Sequence, residues 1–449
     1  MSNKVFDSAE EAVKDIPDGA TILISGLFGV GQPDELIRAL ADRHIKDLTV
    51  VSNGVGFLLP LYINGCIKKS ICTLPKNKLG TEKMPGTIEA VKQRNEGEIE
   101  VEIVPQSLIT ERINAGTAGI AAFYTSLKSN LNGDKEVREF NGVEHVLEYG
   151  IKADYALIAA DIADDYGNLS YVGSVRCSCA EMAMNAKCTI VQVENTRPIT
   201  PNHVVTSGAF VDRIVTTKIK KPKWRQKKDR SRDPAGNTIG QRIAQDLPND
   251  CIVEFGFGLP WYVFDHLPLD RGIMVHSEGV LGIETVIPED QTDTMVRSAT
   301  GDAVKFGKYG SVQTFDASFK MVVSGRVDIA VLGAFQADTQ GNFAGWTTNS
   351  NDKFPAIGGS LELATRSKQL YIAMKHLNSD GTSKIVALCN LPITAYGVVK
   401  RIYTDLATLA VTEKGLQVID IVGDIPHSKL EELTGIKLLP KEQTQDHLV

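Results

Sequence analysis

Three segments of this 449-residue chain recur, in the same order, in its second half. The first is Ile24-Ser25-Gly26-Leu27-Phe28-Gly29-Val30-Gly31-Gln32-Pro33, matched by Val253-Glu254-Phe255-Gly256-Phe257-Gly258-Leu259-Pro260. In each, a short apolar run enters a glycine turn that closes on proline. The second pair is Val50-Val51-Ser52-Asn53-Gly54 and Met274-Val275-His276-Ser277-Glu278-Gly279. Here 20 residues separate Pro33 from Asn53 and 18 separate Pro260 from Glu278. The third pair starts at Asp154 and Asp328 and ends on Gly167-Asn168 and Gly341-Asn342, with 13 residues from Asp to Gly in both. Ordered matches of this kind predict two related domains built on one plan.

The apolar runs are short and β-branched, and they alternate with helical patterns such as Asp34 to Arg43 and Glu362 to Ser367. Strands that read as continuous apolar runs are covered on both faces. This predicts two open α/β domains with mainly parallel sheets. A chain of this length also exceeds one ordinary core. The composition breaks once, at Lys218 to Arg232, which reads Lys-Ile-Lys-Lys-Pro-Lys-Trp-Arg-Gln-Lys-Lys-Asp-Arg-Ser-Arg. A basic, proline-bearing run with few apolar partners behaves as a solvated linker; contact with an anionic ligand is its other reading. The expected boundaries are therefore 1–217, a linker over 218–236, and 237–449.

Composition narrows the class. A hydrophobic fraction of 43% and a net charge of −7, from 48 basic and 55 acidic residues, fit a globular protein without a nucleic-acid signature. No apolar run approaches the ~18 residues that span a bilayer. The segment Met1 to Glu11 has no secretory apolar stretch and is acidic for a transit peptide. The seven cysteines form no disulfide framework, Cys177-Ser178-Cys179 has no second pair at zinc spacing, and the eight histidines include no HxxxH pair. The expectation is a reduced, metal-free, cytoplasmic protein with neither membrane nor nucleic acid as partner.

Glu278 ends an apolar strand in a Ser-Glu-Gly turn, the end of an α/β strand where ligand sites are built. The neighbouring glycine lets a substrate approach, so the carboxylate can attack a carbonyl; a Glu there can also simply cap the next element. Asn53 holds the equivalent place in the first half. An amide can orient substrate, whereas only the carboxylate can be nucleophile or base.

These residues resemble the family I coenzyme A transferases, in the 3-oxoacid or acetate/acetoacetate branch. The first half is similar to the family's α subunit, through Asp18 to Leu27, Gly31-Gln32-Pro33, Pro105-Gln106 and Glu111 to Gly116. The second half is similar to the β subunit, through Gly256 to Pro260, Gly333-Ala334-Phe335-Gln336, Gly341-Asn342, Gly358-Gly359 and Met374-Lys375-His376. The chain departs from the pattern at Ser25 and Leu27, and its Ser277-Glu278-Gly279 lacks the Asn that the family has between Glu and Gly. The resemblance implies CoA transfer between an acyl-CoA and a short-chain carboxylate, with Glu278 as covalent carrier. It implies CoA contacts at Gly256, Gly258, Gly333, Gln336 and Gly341, and substrate contacts at Asn53, Gln106 and Gly31. No cofactor would be bound permanently, since CoA is substrate and covalent intermediate, and the assembly would be a homodimer or homotetramer. An acyl-CoA hydrolase on the same scaffold and a non-catalytic small-molecule binding protein are the competing readings.

Overall fold

The computed structural model describes residues 4–27, 29–75, 96–128, 131, 133–217, 230–268, 270–287, 295–352 and 354–441. Phe28 of the first glycine turn and residues 218–229 of the expected linker lie outside them.

The first half begins with β1 (Val5–Phe6), β2 (Thr21–Ile24), β3 (Leu48–Gly54), β4 (Ile67–Leu74) and β5 (Glu100–Ile103). A small antiparallel sheet follows, of β6 (Ala122–Thr125), β7 (Val137–Phe140) and β8 (Val143–Tyr149). Then come β9 (Tyr155–Ala163), the short β10 (Leu169–Ser170), β11 (Cys188–Thr196) and β12 (Arg213–Thr216). The main sheet has the order β1-β12-β11-β9-β2-β3-β4-β5, and every pair on that path is parallel.

The second half contains β13 (Ile252–Phe255), β14 (Met274–Ser277), β15 (Val280–Val286), β16 (Val304–Val312) and β17 (Ile329–Leu332). After them β18 (Gln336–Asp338), β19 (Phe343–Ala344) and β21 (Ile385–Val386) form a small sheet, with β20 (Gln369–Ala373) between them in sequence. The chain returns to the main sheet with β22 (Val399–Tyr403), β23 (Ala407–Thr412) and β24 (Gly415–Ile421). That sheet runs β16-β15-β14-β13-β17-β20-β22-β23-β24. Its five central strands, β14 to β22, are parallel, and antiparallel hairpins finish both edges. The two mainly parallel sheets are those expected.

The repeats have a physical basis at each strand start and turn. Asp154 accepts the N–H of Thr21 at 3.0 Å and pairs with Lys187; Asp328 accepts the N–H of Ile252 at 2.8 Å and pairs with Lys368. One carboxylate thus satisfies the first amide of the neighbouring strand in each half, where the ladder has no partner to offer. Downstream, Asn168 bonds Asp164 and accepts the Gly208 N–H, while Asn342 bonds Asp338 and accepts the Gly397 N–H. With Asp154 and Asp328 superposed in register, β2 corresponds to β13 and β3 to β14, and Asn53 falls on the position of Glu278.

The halves share one core. A single apolar cluster includes Ile109, Ile113 and Met182 from the first half and Phe315, Val322 and Leu361 from the second. The last residues of the expected linker over 218–236 overlap a helix. The helix Pro234–Asp246 starts there, because Asp233 caps that helix through the Gly236 N–H and Pro234 is suited to a first helical turn.

Candidate functional site

Glu278 and Gly279 are the two central residues of a β-hairpin, since Ser277 pairs with Val280 and His276 with Leu281 across antiparallel β14 and β15. Both have positive φ, 40° at Glu278 and 87° at Gly279, the signature of a type I′ turn. Such turns favour Asn-Gly. Here the glutamate itself takes the asparagine's place, at a cost of about 1 kcal/mol for a side chain in left-handed backbone. The turn is pinned on every side. Ser277 Oγ accepts the Ala299 N–H at 2.8 Å, the Gly279 carbonyl accepts the Gln313 N–H at 2.7 Å, and the Gly279 N–H donates to Ser318 Oγ at 2.9 Å.

Ser318 belongs to the helix Phe315–Val323, and its Oγ lies 2.9 Å from His276 Nε2. The other ring nitrogen, Nδ1, lies 2.6 Å from Glu254 Oε2 on β13. All three side chains are buried. The surface area of Glu278 is partly open to solvent, yet its carboxyl sits among protein atoms. That desolvation, reinforced by the charge of Glu254, pushes its pKa up to about 8.

The first half reaches this turn through Cys177, whose carbonyl accepts the Phe315 N–H at 2.9 Å. Cys177 is buried with φ 36°, and burial pushes its thiol well above the usual range, with the Glu278 charge adding to the effect. Gly31 backs onto it: a Cβ on Gly31 would stand 2.9 Å from the Val175 carbonyl and 3.1 Å from Cys177 Sγ. Gln106 opens the helix Gln106–Thr117 and is buried, with an Nε2 that meets no partner among the described residues. Next to it the Ser107 N–H donates to Glu362 Oε1 of the second half at 2.7 Å. Burial lifts Glu362 to about 7, and the charge of Glu254 adds to that rise.

The predicted glycines divide. Gly333 adjoins the turn at Phe257, and nothing lies within 4 Å of a Cβ on Gly258, so a ligand has room at that backbone. The Gly256 N–H is spent inside the sheet, on the Val331 carbonyl at 2.8 Å. Gln336 lies on β18 of the small sheet and Gly341 in the turn between β18 and β19. Gln336 Oε1 accepts the Asn390 and Leu391 amides, and Asn342 is held by Asp338 and Gly397. Glu254, His276 and Ser318 were not singled out from sequence as partners of Glu278. The available signal was ionisable residues inside two adjacent apolar strands, Val-Glu-Phe and Val-His-Ser. Among the described residues no cluster of His, Cys, Asp or Glu is placed to hold a metal ion, and no helix is long and apolar enough to cross a membrane.

A family model described as Coenzyme A transferase matches residues 6–217 and 237–426. The Homo sapiens protein named succinyl-CoA:3-ketoacid coenzyme A transferase 2, mitochondrial, is 30% identical over 452 residues, covering 92% of this chain and 85% of its own. The 3-oxoadipate CoA-transferase of Pseudomonas putida divides the match between its two polypeptides. One is 38% identical over 45% of this chain and 94% of its own length. The other is 37% identical over 48% of this chain and 94% of its own length. Among solved structures, an acyl-CoA transferase apoenzyme from Escherichia coli O157:H7 superposes with a TM-score of 0.76 at 16% identity, over 98% of this chain and 95% of that one, which shows the shared fold.

Proposed function

The chain belongs to the coenzyme A transferase family and is a CoA-transferase, and from that premise we propose that it exchanges CoA between an acyl-CoA and a 3-oxoacid or related short-chain carboxylate through a γ-glutamyl-CoA thioester on Glu278. The observation that carries this reading is a desolvated carboxyl on a hairpin turn held by Ala299, Gln313 and Ser318. The acceptor class is suggested by relatives named for a 3-ketoacid and for 3-oxoadipate.

In the proposed cycle the ionised Glu278 attacks the acyl-CoA carbonyl, and the C–S bond breaks to give an acyl-glutamyl anhydride and CoA thiolate. The thiolate attacks the glutamyl carbonyl, releasing the first carboxylate and leaving the enzyme thioester. The second carboxylate reverses both steps. A carboxylate suits this exchange because both intermediates are activated acyl groups, so the thioester's free energy is conserved. Desolvation raises the basicity of Glu278 and with it the nucleophilicity of the ionised form, at the expense of ionised population at neutral pH.

Each attack makes an oxyanion, and a single preorganised donor is worth about 10²–10³ in rate. With the Gly256 amide committed to the sheet, Gly258 and the Gly333 segment are the proposed donors. Gln106 is proposed to hold the substrate's carboxylate or carbonyl, supported by its buried, unpartnered Nε2, and Asn53 and Gly31 are proposed as further substrate contacts. Gln336 and Gly341 are proposed to shape the CoA path through the backbone that they fix. The domain units proposed are 1–217 and 237–449, each half carrying one part of the site.

The test is intact mass after incubation with acetoacetyl-CoA and no acceptor acid, followed by peptide mapping. A CoA-sized adduct on Glu278, absent in Glu278→Gln, is expected. Steady CoA release without an adduct would instead identify a hydrolase, and neither adduct nor turnover would return the chain to a binding role.

A further inference from the structure

The hairpin turn that carries Glu278 is held by a line of side chains that no step of the proposed cycle uses. Glu254, His276 and Ser318 come from β13, β14 and the helix Phe315–Val323, and their contacts run in series: 2.6 Å from Glu254 Oε2 to His276 Nδ1, 2.9 Å from His276 Nε2 to Ser318 Oγ, and 2.9 Å from Ser318 Oγ to the Gly279 nitrogen. Ser318 has one proton to give. Its oxygen already accepts the Gly279 N–H, so the hydroxyl proton is free to point at His276 Nε2, and the ring's other nitrogen then donates to Glu254. Every contact in the line is satisfied under that assignment, as a buried polar network requires.

We propose that Glu254, His276 and Ser318 are positioning residues for the transfer reaction: the line locks the Gly279 amide, and so the aim of Glu278, and stations a fixed negative charge behind the nucleophile. This rests on Glu278 being the nucleophile. The lock explains how a glutamate stays in left-handed backbone. Leaving the turn would strand the buried Gly279 N–H, which has Ser318 Oγ as its acceptor. The charge explains why the nucleophile is more basic than burial alone makes it. Among the described residues Glu254 on β13 is the charge that acts on Glu278, and Cys177, beside the helix Cys179–Asn185, feels the Glu278 charge in turn.

The test follows CoA-adduct formation from acetoacetyl-CoA in the full-length protein, by rapid quench and intact mass, from pH 6 to pH 9. Glu254→Gln keeps a hydrogen-bonding partner for His276 and removes the charge. It is expected to lower the midpoint of the pH–rate curve on the order of one unit, so that the rate at pH 6 relative to pH 9 rises roughly tenfold over wild type. A midpoint that stays put while the rate falls equally at every pH would overturn the electrostatic role.

His276→Gln can donate to Glu254 and accept from Ser318, whereas His276→Leu can do neither. The plateau rate is expected within about threefold of wild type in the first and at least tenfold lower in the second. Equal losses in both would overturn the lock. If wild type forms no adduct on Glu278, the nucleophile assignment fails. The line itself is then judged without acyl-CoA, by ¹⁵N-histidine spectra of the resting protein. The His276 resonances are expected to report a proton on Nδ1 and to move in both Glu254→Gln and Ser318→Ala; unmoved resonances would mean that the line does not exist.

Discussion

At the scale of the residue, the turn after β14 shows how much can depend on one missing side chain. Family I transferases carry Asn between the glutamate and the glycine. Without it, Glu278 itself must occupy the first turn position, with φ 40°, and Gly279 the second, with φ 87°. Only glycine fits the second position. A Cβ there would stand 2.8 Å from the Gln313 carbonyl, which is backbone and cannot swing away. Gly279→Ala is therefore expected to cost about 2–3 kcal/mol by denaturant titration and to suppress adduct formation on Glu278, because relieving the clash means re-aiming the carboxylate. A loss below about 0.5 kcal/mol would show that the hairpin has room to move. The same scale separates what residue type reveals from what it conceals. Glu278 was singled out because it ends an apolar strand in a Ser-Glu-Gly turn that resembles the family's pattern, and the structure places it in a turn at the end of β14. Ser318 was not, since a serine near the start of a helix reads as ordinary until the hairpin is folded onto it.

At the scale of the element, the repeated aspartates matter more than the repeated glycines. Asp154 and Asp328 each satisfy the first amide of the adjacent strand and a lysine just before the strand beyond, and both stand 13 residues before the glycine of a Gly-Asn turn. Asp154→Ala and Asp328→Ala are each expected to lose about 1–2 kcal/mol, read from the midpoint of urea unfolding. Similar losses in the two halves are expected, and an effect confined to one would mean that the repeat is not energetically symmetric. The elements also depart from the plan at their edges. After Glu278, β15 turns straight back on β14 as an antiparallel hairpin. A two-residue loop can only join antiparallel strands.

At the scale of the whole molecule, the two halves meet over an apolar core seeded with carboxyls. Glu181 of the helix Cys179–Asn185 and Glu362 of the helix Ser360–Arg366 are both buried, and burial pushes each up to about 7. Glu181 faces Thr314, Asp316 and Lys320 of the opposite half, and Glu362 caps Ser107 across the same boundary. The folded protein therefore holds protons that the unfolded chain has already released at any pH between about 4.5 and 7. Stability contributed by these groups is complete below that window and is lost as pH rises through 7. Glu181→Gln and Glu362→Gln cannot ionise, and each is expected to reduce the loss of stability between pH 5 and pH 8 by on the order of 2 kcal/mol. The readout is urea unfolding at the two pH values, and an unchanged pH dependence would remove these carboxyls from the interface's energetics.

The sequence by itself determined that there are two α/β halves on one plan, that parallel strands form their cores, and that Asn53 and Glu278 are counterparts. These follow from local periodicity and spacing, which tertiary contacts do not alter. Only the tertiary structure decided that Glu254 and His276 on neighbouring strands and Ser318 on a helix of the same half converge on the turn, and that Cys177 reaches it from the other half. It also showed that Gly256 has no amide to spare. Residues 22 to 138 positions apart in sequence meet there because sheet register and the packing of one half against the other bring them together, and no local pattern encodes register between distant strands.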